Sequence, residues 1–184
     1  MNYQKQHIDF LLLACKKKDQ KAQMELYRRY HAPLFKVAYS IVKNEDDALD
    51  VLQESFIAAF KKINQFQGEG SFEGWIRKIV TRKGIKVFHH NKIWLREDTF
   101  DNTIEVSTEI EDEEIPIERQ KIQKDILDRA MKEINDRYRL ILQLFYVEGY
   151  DHKEISEITG WSYSQCRTTL SRAKQQLKNK LKNE

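Results

Sequence analysis

The sequence predicts an all-α protein built as two small helical domains, joined by a flexible acidic linker, with a helix-turn-helix in the second. Three observations predict it. Only six Gly and two Pro punctuate 184 residues, too few for the turns of a strand-rich fold. Apolar residues recur at helical spacing in both halves and lose that period between them. Two cap signatures also lie next to each other near the C-terminal end, around a single glycine.

The first domain spans residues 1–92. Leu26, Tyr30, Leu34, Val37, Ala38 and Ile41 mark one helix. Asn44 is a natural N-cap for the next, because the acids of Glu45, Asp46 and Asp47 suit the positive end of a helix. That helix continues through Ala48, Leu52, Ser55, Phe56, Ala59 and Phe60. Gly68 and Gly70 make the stretch from Gln65 to Ser71 a loop. A third helix runs from Phe72 to about His90, and Gly84 inside it predicts a local weak point of about 1 kcal/mol against Ala. Before these helices, the apolar run Phe10 to Cys15 is short and follows polar residues, so it reads neither as a signal peptide nor as a membrane span.

Residues 93–117 form the expected linker. Ten acids and no Lys or Arg fall between Glu97 and Glu118, a composition that cannot bury a core and predicts a tether. Taking those ten charges from a chain of net +3 leaves +13 on the rest. A basic body of this kind suggests a polyanionic partner, with nucleic acid foremost, although a solubilising surface gives the same charge.

The second domain spans residues 118–184, with Pro116 fit for the first turn of its opening helix. Ile122, Ile126, Leu127, Ala130, Met131 and Ile134 mark that helix. Asn135 caps a second, which carries Leu140, Ile141, Leu144, Phe145 and Val147 and ends at Gly149. Asp151 and Glu154 form a capping box that opens a short helix closed by Gly160. Ser162 and Gln165 form another, opening a last helix with Cys166, Leu170, Ala173 and Leu177 turned inward.

Three constellations carry the chemistry. The last helix offers Ser164, Gln165, Arg167, Thr168, Ser171, Arg172 and Lys174, short polar and basic side chains where a recognition helix meets base edges and phosphates. The third helix of the first domain carries Arg77, Lys78, Arg82, Lys83, Lys86, His89 and His90. Lys78, Arg82 and Lys86 repeat every four residues and form one stripe. Phe66, Phe72, Trp75, Phe88 and Trp94 are interleaved with these bases. Rings beside cations suit a single strand with unstacked bases; Phe72 and Trp75 serve equally well as core. On the second helix Asp46, Asp50 and Glu54 share a face beside Gln53. That face suits a basic partner, a metal or plain solvent, but no further acids converge on it to complete a metal site. His7, His31 and His152 stand alone, and Cys15 and Cys166 make no CxxC pair, so no metal centre or disulfide framework is expected.

The run Asp47-Ala-Leu-Asp-Val-Leu-Gln-Glu-Ser-Phe56, followed by Phe66-Gln-Gly-Glu-Gly-Ser-Phe-Glu-Gly-Trp-Ile76, resembles the second conserved region of extracytoplasmic-function sigma factors of bacterial RNA polymerase. Tyr146-Val-Glu-Gly-Tyr150, Glu154-Ile-Ser-Glu-Ile-Thr-Gly160 and Leu170-Ser-Arg-Ala-Lys174 resemble the fourth region. The resemblance covers nearly the whole chain. It implies a non-enzymatic initiation factor without cofactors, serving a stress- or signal-responsive regulon, and the lack of a signal-peptide or membrane-spanning pattern predicts a soluble cytoplasmic protein. Its implied partners are core RNA polymerase, promoter DNA and an anti-sigma factor, with no membrane insertion of its own. By the same resemblance Asp46, Asp50, Gln53 and Glu54 meet the clamp helices of the largest polymerase subunit. The loop and basic helix open the minus-ten element, and the helix-turn-helix reads the minus-thirty-five element. The chain departs from the family in having Arg82 where Asn is common and Thr169 where Arg is frequent, so no promoter sequence is carried over.

Two other readings fit parts of the chain. A one-component regulator would need a sensor domain, and would act on duplex DNA without polymerase. A metal-dependent nuclease using Asp46, Asp50 and Glu54 would cleave DNA with divalent ions.

Overall fold

A computed structural model of the chain describes residues 3–93 and 124–182. The acidic linker, Pro116, Trp94 and Ile122 lie outside the described residues. The chain divides into two compact units, Met1–Trp94 and Leu95–Glu184, and every described element is helical.

The first unit contains α1 (Ile8–Lys16), α2 (Gln20–Val42), α3 (Glu45–Lys61), a 3-10 turn (Ile63–Gln65) and α4 (Phe72–Ile93). Helices α2, α3 and α4 pack on one another, and α1 packs on α2 and the 3-10 turn. The apolar run that looked too short for a membrane is α1, with Leu11, Leu12 and Cys15 buried in this core. Asp19 starts α2 by accepting from the backbone N–H of Lys21 and Ala22 at 2.8 and 3.0 Å. Pro33 lies inside α2, where a proline costs about 3 kcal/mol. The helix persists because Leu26, Leu34, Val37, Ala38 and Ile41 are all buried along it.

The turn from α2 to α3 is local chemistry. Lys43 adopts a left-handed φ of 60° and donates its N–H to the Tyr39 carbonyl at 3.0 Å. Asn44 then accepts from the Asp47 N–H at 3.0 Å, as the sequence predicts. Within α2, Glu25 is 6% exposed and accepts from Arg29 Nε at 2.8 Å. That bond, with the nearby Arg28 charge, holds its carboxyl below the ordinary 4.5. Arg29 also donates to the carbonyls of Tyr3 and Gln4 at 3.0 and 3.1 Å, tying the N-terminal segment to α2.

Gly84 has a packing role that helix propensity does not show. It is buried, and a Cβ there would lie 3.3 Å from Ile41 Cγ2 and 3.4 Å from Ile41 Cδ1. The absent side chain is what lets α4 approach α2. Gly84→Val should therefore destabilise the unit by about 1–3 kcal/mol through overpacking. Ile41→Ala should cost measurably less in that background than in the wild type. Urea unfolding of the four proteins of this cycle checks it; additive losses would remove the contact.

The second unit contains α5 (Lys124–Glu133), α6 (Asp136–Leu142), one π-helical turn (Gln143–Val147), α7 (His152–Thr159) and α8 (Tyr163–Lys182). Asn135 caps α6 by accepting from Arg137 N–H at 2.9 Å. The sequence predicts one helix from there to Gly149 with Val147 on its apolar side. Instead the wider turn rotates Tyr146 and Val147 outward, to 59% and 61% exposure, while Leu144 stays buried. Leu127 of α5 is likewise 39% exposed, so it does not join the core as the apolar pattern suggests. The core is Ala130, Ile134, Leu140, Ile141, Leu142, Leu144, Ile155, Cys166, Leu170 and Ala173.

Both capping boxes form. Asp151 accepts from Glu154 N–H at 2.8 Å, and the Glu154 carboxylate accepts from Asp151 N–H at 3.1 Å. Gly160 takes φ 74° and closes α7 by donating to the Ser156 carbonyl at 2.9 Å. Ser156 Oγ donates to the Trp161 carbonyl at 2.7 Å, and the Arg137 guanidinium stands 4.6 Å from the Trp161 ring centre. These bonds set the turn of a helix-turn-helix made by α7 and α8.

Candidate nucleic-acid and polymerase interfaces

On α8, Cys166, Thr169, Leu170 and Ala173 are buried, which turns the opposite face to solvent. Ser164, Gln165, Arg167, Thr168 and Arg172 are exposed there, and Ser171 and Lys174 are half-exposed. The departure at Thr169 thus falls inside the unit's core and not on this face. Gln165 carries a constraint the sequence also shows. Its Oε1 accepts from Ser162 N–H at 2.8 Å while Ser162 Oγ accepts from Gln165 N–H at 3.2 Å, so the side-chain oxygen holds the helix start. Its amide nitrogen takes no part in that cap. Lys174 Nζ stands 5.8 Å from the ring centre of exposed Tyr146.

On α4 the structure separates the sequence-predicted bases into two sets. Lys78, Arg82 and Lys86 are exposed as one stripe. Lys83 instead turns to α3 and bonds Glu54 at 2.6 Å, and Arg77 bonds Glu73 at 3.1 Å. His89 is half-buried against the Phe88 ring. Two of the aromatics go to the core, and Trp75 and Phe88 are half-buried. Phe66 is 7% and Phe72 3% exposed, and they cluster with Trp75 and Tyr30 at centroid distances of 5.5 to 6.0 Å. Neither ring of the buried pair presents a face to an unstacked base. Residues 67–71 between them are exposed, with Gly68 and Gly70 at φ 85° and 77°. Ser71 Oγ accepts from Gly74 N–H at 3.0 Å and so starts α4.

On α3 Asp46, Asp50, Gln53 and Glu54 are all exposed. Leu49 and Ile57, which sequence reasoning left out, are exposed beside them at 41% and 55%. Their three- and four-residue spacing from Asp46, Gln53 and Glu54 was the available signal. Among the described residues no three His, Cys, Asp or Glu side chains stand together as metal ligands would. Burial pushes the Cys15 thiol up to about 12 and raises that of Cys166, so neither supplies a thiolate at neutral pH. No described helix is long and apolar enough to cross a membrane.

A helix-turn-helix with a carboxylate-free recognition helix, in a chain whose other helical unit has its own exposed basic stripe, is the arrangement of a DNA-binding protein. Residues 26–92 match the Sigma-70 region 2 family and residues 124–177 the Sigma-70, region 4 family. The chain is 32% identical over 140 residues to RNA polymerase sigma factor SigV of Bacillus subtilis, covering 76% of this chain and 78% of that one. It is 25% identical over 156 residues to ECF RNA polymerase sigma factor SigM of the same organism, covering 84% and 91%. Its fold is shared with the sigma factor RpoE of Bartonella quintana, solved with the anti-sigma factor NepR, at a TM-score of 0.53 and 16% identity over 86% of this chain and 96% of that one. The chain belongs to the extracytoplasmic-function sigma factors of RNA polymerase. It is a promoter-recognising initiation factor, as its sequence implied.

Proposed function

We propose that the chain divides initiation between three surfaces. In residues 1–92, Asp46, Asp50, Gln53 and Glu54 dock on the clamp helices of the polymerase. Lys78, Arg82 and Lys86, with the 67–71 loop, hold the opened minus-ten strand; Arg77, Lys83 and His89 support that helix from its edges. In residues 118–184, Ser164, Gln165 and Thr168 meet bases of the minus-thirty-five element, while Arg167, Ser171, Arg172 and Lys174 meet its phosphates. Residues 93–117 join the two. The protein catalyses nothing itself and works in the cytoplasm, at promoters of a stress- or signal-responsive regulon. An anti-sigma factor is a further partner, in keeping with the one bound to RpoE in its solved structure.

The observation that carries this reading is the exposed polar face of α8 behind a fully formed helix-turn-helix. Copurification with core RNA polymerase, followed by run-off transcription on genomic fragments, tests it. A protein that binds duplex promoter DNA and regulates without polymerase would instead be a one-component regulator.

Within α8 two substitutions separate reading from holding. Arg172→Ala should lower affinity across many sequences and reduce the salt slope by about one counterion. Gln165→Glu keeps the oxygen that Ser162 needs but replaces the amide donor. It should change the preferred minus-thirty-five sequence, read by selection from a randomised library, with the melting temperature kept. Unchanged preference and unchanged salt slope would take α8 off the DNA.

A further inference from the structure

The outward face of α8 does not end with the residues assigned to the minus-thirty-five element. Ser164, Thr168, Ser171, Gln175, Lys178 and Lys182 follow one another at alternating steps of four and three, which keeps them on one side of the helix. Gln175, Lys178 and Lys182 are exposed. No Asp or Glu occurs anywhere in α8. From Ser164 to Lys182 this face is about 27 Å long at 1.5 Å per residue. A major groove is only about 12 Å wide. A helix that crosses the groove with its first turns inside therefore carries its last turns out to the phosphate wall.

The chemistry changes along the face in the same sense. Its first turns hold Ser, Gln, Arg and Thr, which can bond base edges with defined geometry. Its last turns hold Lys, a point charge suited to phosphate and poor at telling bases apart. The far half is also held in place. Lys180 points the other way and bonds Glu133 of α5 at 2.7 Å, and Leu177 is half-buried, so α8 is packed to near its end. Lys178 and Lys182 thus project from a supported helix in fixed register with the reading end.

We infer that Lys178 and Lys182 bind the phosphate backbone of duplex DNA beyond the bases read by α8, extending the promoter contact past the minus-thirty-five element. This rests on the reading of α8 as the recognition helix. The two lysines add affinity and register without adding base preference.

The test uses the full chain assembled with core polymerase and a promoter fragment recovered by run-off selection. The double variant K178Q/K182Q keeps good helix formers. It should flatten the slope of log affinity against log salt by about 1.8, so that its deficit against the wild type shrinks about twelvefold between 50 and 200 mM. Base preference in the randomised library should not move. Fragments trimmed stepwise on either side of the minus-thirty-five bases should make wild type and variant converge once the flanking phosphates are gone. Lys180→Gln, whose ammonium faces Glu133, should leave the slope unchanged. An unchanged slope in K178Q/K182Q overturns the inference. So does a deficit that persists on the fully trimmed DNA, or a loss of core-polymerase affinity in its place, which would make the lysines a protein contact. If Arg172→Ala also has no effect on DNA affinity, it is the recognition-helix assignment that has failed.

Discussion

Asp50→Lys together with Glu54→Lys should weaken binding of the chain to core RNA polymerase about thirtyfold or more. Both carboxylates are exposed one helical turn apart on α3, so both can meet cations of one partner surface. Losing two attractive pairs and adding repulsion there costs at least about 2 kcal/mol, and charge placed at an interface also sets the encounter rate. The defect should be larger at low salt, because exposed charges are screened within about 10 Å at 0.1 M. Glu54 has a second role, since it bonds Lys83 of α4 at 2.6 Å. Lys83→Ala is therefore the control: it breaks the internal pair and should change core affinity by less than about twofold. Fluorescence anisotropy of labelled chain against core enzyme reads all of these. Wild-type affinity in the double variant, with its helices intact by circular dichroism, would remove α3 as the docking face.

Arg82→Ala with Lys86→Ala should leave closed complexes largely intact and lower permanganate-reactive open complexes about tenfold or more. In the proposed function, strand opening is driven by binding energy. Holding an extruded base offsets a few kcal/mol of unpairing and unstacking. Arg82 and Lys86 are exposed with Lys78 on the free side of α4, where they can grip the phosphates on either side of that base. Phe66 and Phe72 are buried against half-buried Tyr30 and Trp75, and we propose that the exposed 67–71 loop holds the base itself. Phe66→Ala should thus act as a core truncation, costing about 3–5 kcal/mol of stability rather than a stacking contact. A promoter with a premelted bubble should restore much of the transcription lost by the Arg82 and Lys86 variant. No rescue from a folded, polymerase-bound protein would place the stripe in some other step.

The sequence was most legible where both partners of an interaction lie within a few residues. The Asn44, Asn135, Asp151 and Ser162 caps close on residues two or three positions away. Each cap is therefore written in a single short window, and the helix starts followed directly. The glycine that closes α7 is the same kind of signal, since φ 74° is open to glycine at little cost. The stripe of Lys78, Arg82 and Lys86 and the acidic face of α3 were also visible, because a helix converts spacing into sides.

By itself, then, the sequence determined the all-α class, the helix-turn-helix, the sigma-factor family and the polar stripes of α3, α4 and α8. The tertiary structure alone decided which charges are spent inside the protein and which aromatics are core. Lys83 meets Glu54 across 29 positions of chain and Asn91 meets Asp47 across 44. No local pattern specifies such pairs. The same holds for Gly84, whose role depends on Ile41 of another helix, and for Phe66, which is covered by Phe72 and Trp75. It holds also for the π-helical turn that exposes Tyr146 and Val147. Burial is a property of what packs against a residue. Neighbours supplied by distant segments become neighbours only when the chain has folded.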